Sequence, residues 1–497
     1  MTAATDATAR RARFVLATAC LAIFVSTMDT TVATVAIPSI GRDLHASPSD
    51  LQWVLDSYIV IRGCLMFSAG ALGDRFGRRT MFQQGLALFG IASLLCSLAP
   101  SADWLITFRI IQAVGGSFLV PTGFALIADA YPDRRGRAKA IGIWTAVTGI
   151  STGLGPVLGG ALVDGFGWRS VFLINLPIVA VAIALAAKYA PARAGDPDRK
   201  LDPLGQLLVI VILVGLTSGC IEASQRGWSS TFVLTIFAIA VAALGAFLIV
   251  ERRVEEPLLP LDLFKNAHFT GALMIATSAF AIYSGFLFVN VLYLQGIRHY
   301  EAWQAGLILI PTTIGNVVLS PASGRMTASR GPRLPIVIAS VLFLAGALIL
   351  TFSDETTSLV TLIVAYMSIG SAAGLINVPI TTAPAASLPR SRAGVAGAVT
   401  SSFRQIGNSL GVALLGTLAL SSLSSAAADS FIRHEGDGTA PPSAIVHAFV
   451  TGMHLSYAVA SLLAVITLVI GIVAFRKPAA EEADLGELPL DRPIERV

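Results

Sequence analysis

Charged side chains stand inside otherwise apolar runs of this sequence: Arg404 makes the 394–420 run the least regular, and Asp29, Asp56, Arg62 and Arg109 are the ones that could do chemistry. A carboxylate midway along such a run is costly unless it faces water, pairs with a cation or keeps its proton. A carboxylate that binds either a proton or an organic cation, but not both, exchanges one for the other. Asp29 is therefore the first candidate for proton coupling or cation binding, set against a structural aspartate hydrogen-bonded within a helix pair. Asp56, near the start of the next run, either lines an entrance and attracts cations or caps a helix. Arg109 is always charged and needs a partner or water; it either modulates protonation of a nearby carboxylate or braces two helices. Arg62 is a counter-charge for Asp29 or Asp56, or it snorkels outward, and spacing leaves both open.

The elements that must hold these groups follow from composition. Of the 497 residues, 55% are hydrophobic and 13% charged, which excludes a soluble multi-domain protein. Apolar runs of membrane-spanning length fall at 14–37, 52–72, 80–99, 104–128, 140–162 and 170–189, then at 203–221 and 232–250. Six more fall at 268–292, 303–322, 334–352, 358–380, 394–420 and 448–474. The expectation is an all-α polytopic protein of fourteen transmembrane helices: two six-helix bundles and two linking helices. The domains are then a tail at 1–13, a bundle at 14–192, linking helices at 193–265, a bundle at 266–476 and a tail at 477–497. With this count, 26 of the 34 Lys and Arg lie on one side and five on the other, so that both termini are cytoplasmic. The N-terminal run is too long for a cleaved signal peptide, and the acidic tail after Glu481 is polar and short of apolar residues.

The same composition excludes several chemistries. The basic excess reads as topology rather than nucleic-acid affinity. Cys20, Cys64, Cys96 and Cys220 lie in apolar runs without paired spacing, and the six histidines are scattered, so no metal site or other cofactor is expected. No G-x-x-x-x-G-K-[ST] loop occurs, so energy must come from a gradient. Clustered catalytic residues of a membrane enzyme are also missing.

Between the second and third runs lies Gly70 to Phe82, GALGDRFGRRTMF, with Gly70, Gly77, Asp74, Arg75, Arg78 and Arg79. Such charge density is expected in a loop outside the hydrocarbon, facing an anionic leaflet. The corresponding stretch of the second half, SGRMTASRGPR, echoes it without the aspartate, which suggests two related halves with a substrate path between them.

GALGDRFGRR resembles the loop signature of the major facilitator superfamily. Further stretches resemble its fourteen-helix drug:proton antiporter branch: MDTTVATVAIP (Met28 to Pro38), WVLDSYIV with Asp56, Arg109-Ile-Ile-Gln112 with Gly115, and GISTGLGPVLGG (Gly149 to Gly160). So do WRSVFLINLP (Trp168 to Pro177), LDPLGQLL (Leu201 to Leu208), ERRVEEPLLPLDLF (Glu251 to Phe264) and Arg392 to Val412. Thr34, Ala113 and Arg62 depart from the pattern. The resemblance implies a cytoplasmic latch at Asp74 and Arg75, proton transfer involving Arg109, and an antiporter motif at Gly153, Gly155, Pro156, Gly159 and Gly160, which favours export. It implies a monomeric, proton-driven exporter of small amphipathic, cationic drugs or antibiotics in a bacterial inner membrane, with membrane lipid, protons and a small-molecule substrate as partners. A narrow exporter of one metabolite or self-made antibiotic is the alternative, and neutral or anionic substrates follow if Arg62 lines the cavity.

Overall fold

The computed structural model describes residues 2–132, 134–192, 195–196, 202–254, 259, 261–386, 393–423, 427 and 443–476. Its helices are α1 (Thr2–Leu44), α2 (Pro48–Phe76), α3 (Arg78–Ser97), α4 (Ala102–Ala130), α5 (Arg134–Phe166), the short α6 (Ser170–Leu173) and α7 (Asn175–Tyr189). After these come α8 (Pro203–Arg226) and α9 (Thr231–Glu251), then α10 (Ala267–Leu292), α11 (Ala302–Ile308), α12 (Ile310–Arg330), α13 (Arg333–Thr351), α14 (Leu359–Ala386), α15 (Ala393–Leu420) and α16 (Ser443–Ala474). Among the described residues there is no strand, as expected where no water is available to satisfy a sheet edge. Local signals set several helix starts. Ser47 and Asp50 form a reciprocal cap at α2, Asp202 caps α8 through Gly205 N, and Asn266 caps α10 through Phe269 N.

Three expectations need correction or trimming. Twelve helices among the described residues are long and apolar enough to cross a membrane, and the bent α2 makes a thirteenth. The fourteenth expected span, 394–420, is the helix α15, but Arg404, Gln405 and Asn408 make it too polar to pass the same test. Gly70 to Phe82 is not a loop: α2 runs to Phe76 and α3 starts at Arg78, leaving only Gly77 between them, at φ 95°. The charges there pair with one another, so the helices can continue past the hydrocarbon, and a glycine supplies the left-handed turn. Likewise α1 is helical from Thr2, ahead of the run that begins at 14. The acidic tail at 477–497, Leu201, Glu255 to Leu258, and Arg390 and Arg392 lie outside the described residues.

Helices α1 to α7 pack mainly on one another, as do α10 and α12 to α16. The two groups meet along two seams, α2 against α15 and α5 against α11 and α12. Helix α8 lies over the first seam, touching both α2 and α15, and α9 packs on α8. The contact has a specific polar part. Between Met66 and Ser68, α2 bends by 55°; Gln206 of α8 donates to the Cys64 carbonyl at 3.0 Å and accepts from Ser68 Oγ at 2.5 Å. A side chain inserted into the backbone ladder is an ordinary cause of such a kink.

The second seam is closed at one end and open at the other. Gly142, Gly149, Gly153 and Gly160 share one face of α5, within about 40° at 100° per residue. Thr313 of α12 fills the space over Gly153 and donates to its carbonyl at 3.0 Å. At Gly160 a side chain would sit 2.5 Å from the Ala302 carbonyl and 2.6 Å from Trp303 Cα. Trp303 N also donates to Asp164 Oδ2 at 2.6 Å. Gly142 and Gly149 meet nothing within 4 Å, nor does Gly324, on the Thr313 face of α12. The halves therefore diverge toward the end that carries Asp74 and Arg78. Gly160→Val puts Cβ and two methyls into backbone that cannot retreat, so transport should be lost while the protein still reaches the membrane. Drug resistance of cells expressing the variant, compared with its membrane abundance, checks this; wild-type resistance would show that this contact is dispensable.

Candidate functional site

The sequence candidates Asp29 and Arg109 meet inside the first group of helices. Arg109 is completely buried, and its Nη1 reaches Asp29 Oδ2 at 2.5 Å and Gln112 Oε1 at 2.7 Å, while Nε donates to the Val54 carbonyl at 3.1 Å. The other Asp29 oxygen accepts from Gln112 Nε2 at 2.9 Å and Asn175 Nδ2 at 2.7 Å. Both amides also donate to Ser93 Oγ, at 2.7 and 3.2 Å. One network thus ties α1, α2, α3, α4 and α7 together. Arg109 and Gln112 are three residues apart, one turn of helix, and so act from the same face. Their partners all belong to the first group, so in this conformation Asp29 points into that group and away from the second.

Tyr58 connects this network to Arg62. Its ring lies 4.3 Å from the Arg109 guanidinium carbon and 5.6 Å from that of Arg62, and its hydroxyl lies 3.3 Å from Ser26 Oγ. Arg62 is 5% exposed and donates from Nη1 to the Ser26 carbonyl at 3.2 Å, while its Nε has no acceptor. It pairs with neither candidate carboxylate. Across the seam Arg404 of α15 stacks on Phe280 at 4.3 Å, and Gly63, next to Arg62, packs against Gln405, next to Arg404. Arg404 is only partly exposed and its part in the site was not foreseen. The signal was its position, an arginine in an apolar run.

Asp56 lies elsewhere. It is fully buried on the side of α2 that faces α15 and α8, near Ser409 and Cys220, and neither oxygen makes a hydrogen bond. The Ser409 hydroxyl beside it is shared with Thr217 of α8 at 3.0 Å. Among the described residues, no other Asp or Glu is buried between α1 and α7, and none is buried from α10 onward. Asn290 is held by Tyr366, which donates to it at 2.6 Å, and by Tyr457, so it works as glue between helices.

At the α2–α3 corner, Arg78 pairs with Asp74 at 2.9 Å and with Asp129 of α4 at 3.1 Å. Arg79 donates to the carbonyls of Ala187 and Ala190 at 2.6 and 3.3 Å, and Asp196 N donates to the Asp74 carbonyl at 2.8 Å. Arg75 lies over Phe76 at 5.7 Å. Of the arginines in this stretch, Arg78 is the one that pairs with Asp74, and it also reaches Asp129 at the end of α4. In the antiporter motif, Thr31 and Val32 of α1 fill the space over Gly155 and Gly159, Gly153 and Gly160 meet α12 and α11, and the Pro156 carbonyl abuts Gly306. The motif is therefore where α5 touches both groups of helices.

Twelve or thirteen membrane-spanning helices among the described residues, in two packed groups with charges sunk in and between them, define a polytopic membrane protein. The chain belongs to the major facilitator superfamily, whose family model matches residues 19–412. It is 37% identical over 401 residues to the multidrug resistance protein Stp of Mycobacterium tuberculosis, a match covering 80% of this chain and 74% of that one. It is 36% identical over 403 residues to the methylenomycin A resistance protein of Streptomyces coelicolor, covering 79% and 83%. With the tetracenomycin C resistance and export protein of Streptomyces glaucescens it shares 30% over 499 residues, 94% and 92% of the two chains. A solved bacterial homolog of the human lysosomal transporter Spinster, described as inward-facing and unoccupied, has the same fold: TM-score 0.66, 18% identity, 94% of this chain and 97% of that one.

Removing one partner of a buried ion pair strands the other charge and costs about 3 to 5 kcal/mol. Asp29→Ala should therefore destabilise the detergent-purified protein strongly, and adding Arg109→Gln should recover part of the loss. Thermal unfolding of the two single variants and the double variant checks this, and strictly additive losses would mean the pair is not coupled.

Proposed function

We propose that this protein exports small amphipathic compounds, drugs or antibiotics among them, across the bacterial inner membrane in exchange for protons. The observation that carries this reading is the one-sided α5 seam, sealed at Gly153 and Gly160 and open at Gly142, Gly149 and Gly324. Such asymmetry is what a carrier needs if two halves rock about a central path. With both termini cytoplasmic, as the positive-inside bias indicates, the open end faces the cytoplasm and is ready to load an outbound compound. The names of the relatives, resistance and export proteins for several antibiotics, support the same direction.

Coupling falls to Asp29 and Asp56, the carboxylates buried within the first helix group, which the fold treats differently. Asp29 has a cation and two amide donors, an arrangement that favours the charged form. Protonating it would loosen the hold of Arg109 on four neighbouring helices, which gives a proton a way to alter packing. Asp56 is the carboxylate whose charge nothing compensates, and carrying a proton removes that charge. To release the proton it must gain water or a partner, which a movement of α2 against α8 and α15 supplies. A cationic substrate has no uncommitted carboxylate on the central path here: Asp29 is held by Arg109, and Asp56 faces Ser409 and Cys220.

Proteoliposomes with an internal pH dye test this reading. A panel of acidic, neutral and cationic compounds should drive proton movement in the wild type, and Asp29→Asn or Asp56→Asn should reduce it at least tenfold. Full proton movement in both variants would remove these carboxylates from the coupling, and transport independent of the proton gradient would remove the antiport itself.

A further inference from the structure

Arg62 and Arg404 flank the point where α2 and α15 touch, with Gly63 packed against Gln405, so that two like charges lie in the seam between the halves. Among the described residues, neither has an acidic partner. Arg62 spends one bond on the Ser26 carbonyl and leaves Nε unbonded while 5% exposed; Arg404 has the face of Phe280. A guanidinium does not give up its proton to escape burial. Two of them in a poorly solvated seam repel each other and lack the counter-charge that would offset their desolvation.

The nearby carboxylates do not fill that role. Asp29 is engaged by Arg109, Gln112 and Asn175. Asp56 is six residues from Arg62 on the same helix, which turns the two about 120° apart, and its neighbours are on α8 and α15. The anion is therefore external. Phe280, half-buried beside the Arg404 guanidinium, offers apolar ring surface for the body of an amphipath. Planar guanidinium groups are well matched to a carboxylate, which can accept from both.

We propose that Arg62 and Arg404 form an anion-binding site on the substrate path, and that the exported compound is an amphipathic weak acid carrying a carboxylate. This rests on the transport reading above and narrows its substrate class. Binding from α2 on one side and α15 on the other also lets the ligand neutralise a repulsion between the halves. Loading thus favours their approach.

Three probes with the same ring system separate the possibilities: 2-naphthaleneacetic acid, its amide, and (2-naphthylmethyl)trimethylammonium. Binding to the full-length protein in detergent is measured by titration calorimetry without any proton gradient, so a failure of proton exchange and a failure of this site are distinguishable. The wild type should bind the acid at least tenfold tighter than the amide or the quaternary amine. Arg62→Gln and Arg404→Gln should each erase that preference and leave amide binding unchanged, and Arg404→Lys should keep most of it. Without ligand, Arg404→Gln should unfold at a higher temperature than the wild type, because the repulsion between two like charges in the seam is relieved. Equal binding of acid and amide, tighter binding of the amine, or an acid preference that survives both Gln substitutions would overturn the proposal. So would loss of the preference when phosphatidylglycerol is added to the wild type, which would assign the arginines to a lipid headgroup.

Discussion

An arginine that cannot shed its charge, set where no water reaches, obliges the surrounding helices to bring acceptors to it. Arg109 is such a residue, and the first half of the molecule is arranged accordingly. Asp29 crosses from α1, the Val54 carbonyl from α2, and Gln112 is the next turn of its own helix. Asn175 and Ser93, on α7 and α3, then satisfy what Asp29 and Gln112 have left over. In hydrocarbon there is little hydrophobic drive to hold helices together, so a charge-assisted polar network at the centre of the bundle fixes their relative positions. The two amides and the hydroxyl take up most of the remaining donors and acceptors, leaving only Arg109 Nη2 and Asn175 Oδ1 of the network unbonded.

The two seams divide the mechanical work. Along α2 and α15 the halves stay in contact from Gln52 and Thr417 to Gly63 and Gln405. Along α5 the contact is confined to the end with Gly153 and Gly160, where the absence of side chains lets backbone meet backbone. A seam made of close backbone contacts weakens steeply on parting, since a gap of about 0.5 to 1 Å forfeits roughly a quarter to a half of its dispersion attraction. Asp56 and the Arg62–Arg404 pair both lie where movement of α2 would be felt.

How much of this was legible in the sequence depends on whether the signal was local. Apolar runs of fixed length and the bias of arginines located the helices, because a bilayer imposes both directly. The glycine motif of α5 was legible as a packing surface, and Asp29 and Arg109 were legible as buried charges that needed partners. Their pairing with each other joins residues 80 apart and depends on which faces of α1 and α4 meet, which no periodicity encodes. Arg404 was noticed only as a flaw in its span, because its neighbour Arg62 lies on another helix more than 300 residues away. The corner at Gly77 was misjudged as a loop, since charge density shows that a segment leaves the hydrocarbon without showing whether it stops being helical. The same polarity on α15 leaves twelve or thirteen helices among the described residues that are apolar enough to count as spans.

The α8–α9 hairpin makes an otherwise symmetric architecture lopsided. It covers the α2–α15 flank, and its Gln206 is built into the bend of α2, while the α5–α12 flank has no such cover and parts beyond Gly149. The two flanks therefore differ in stiffness: one is splinted by a hairpin bonded into a bent helix, the other is pinned at one end and free to flex at the other.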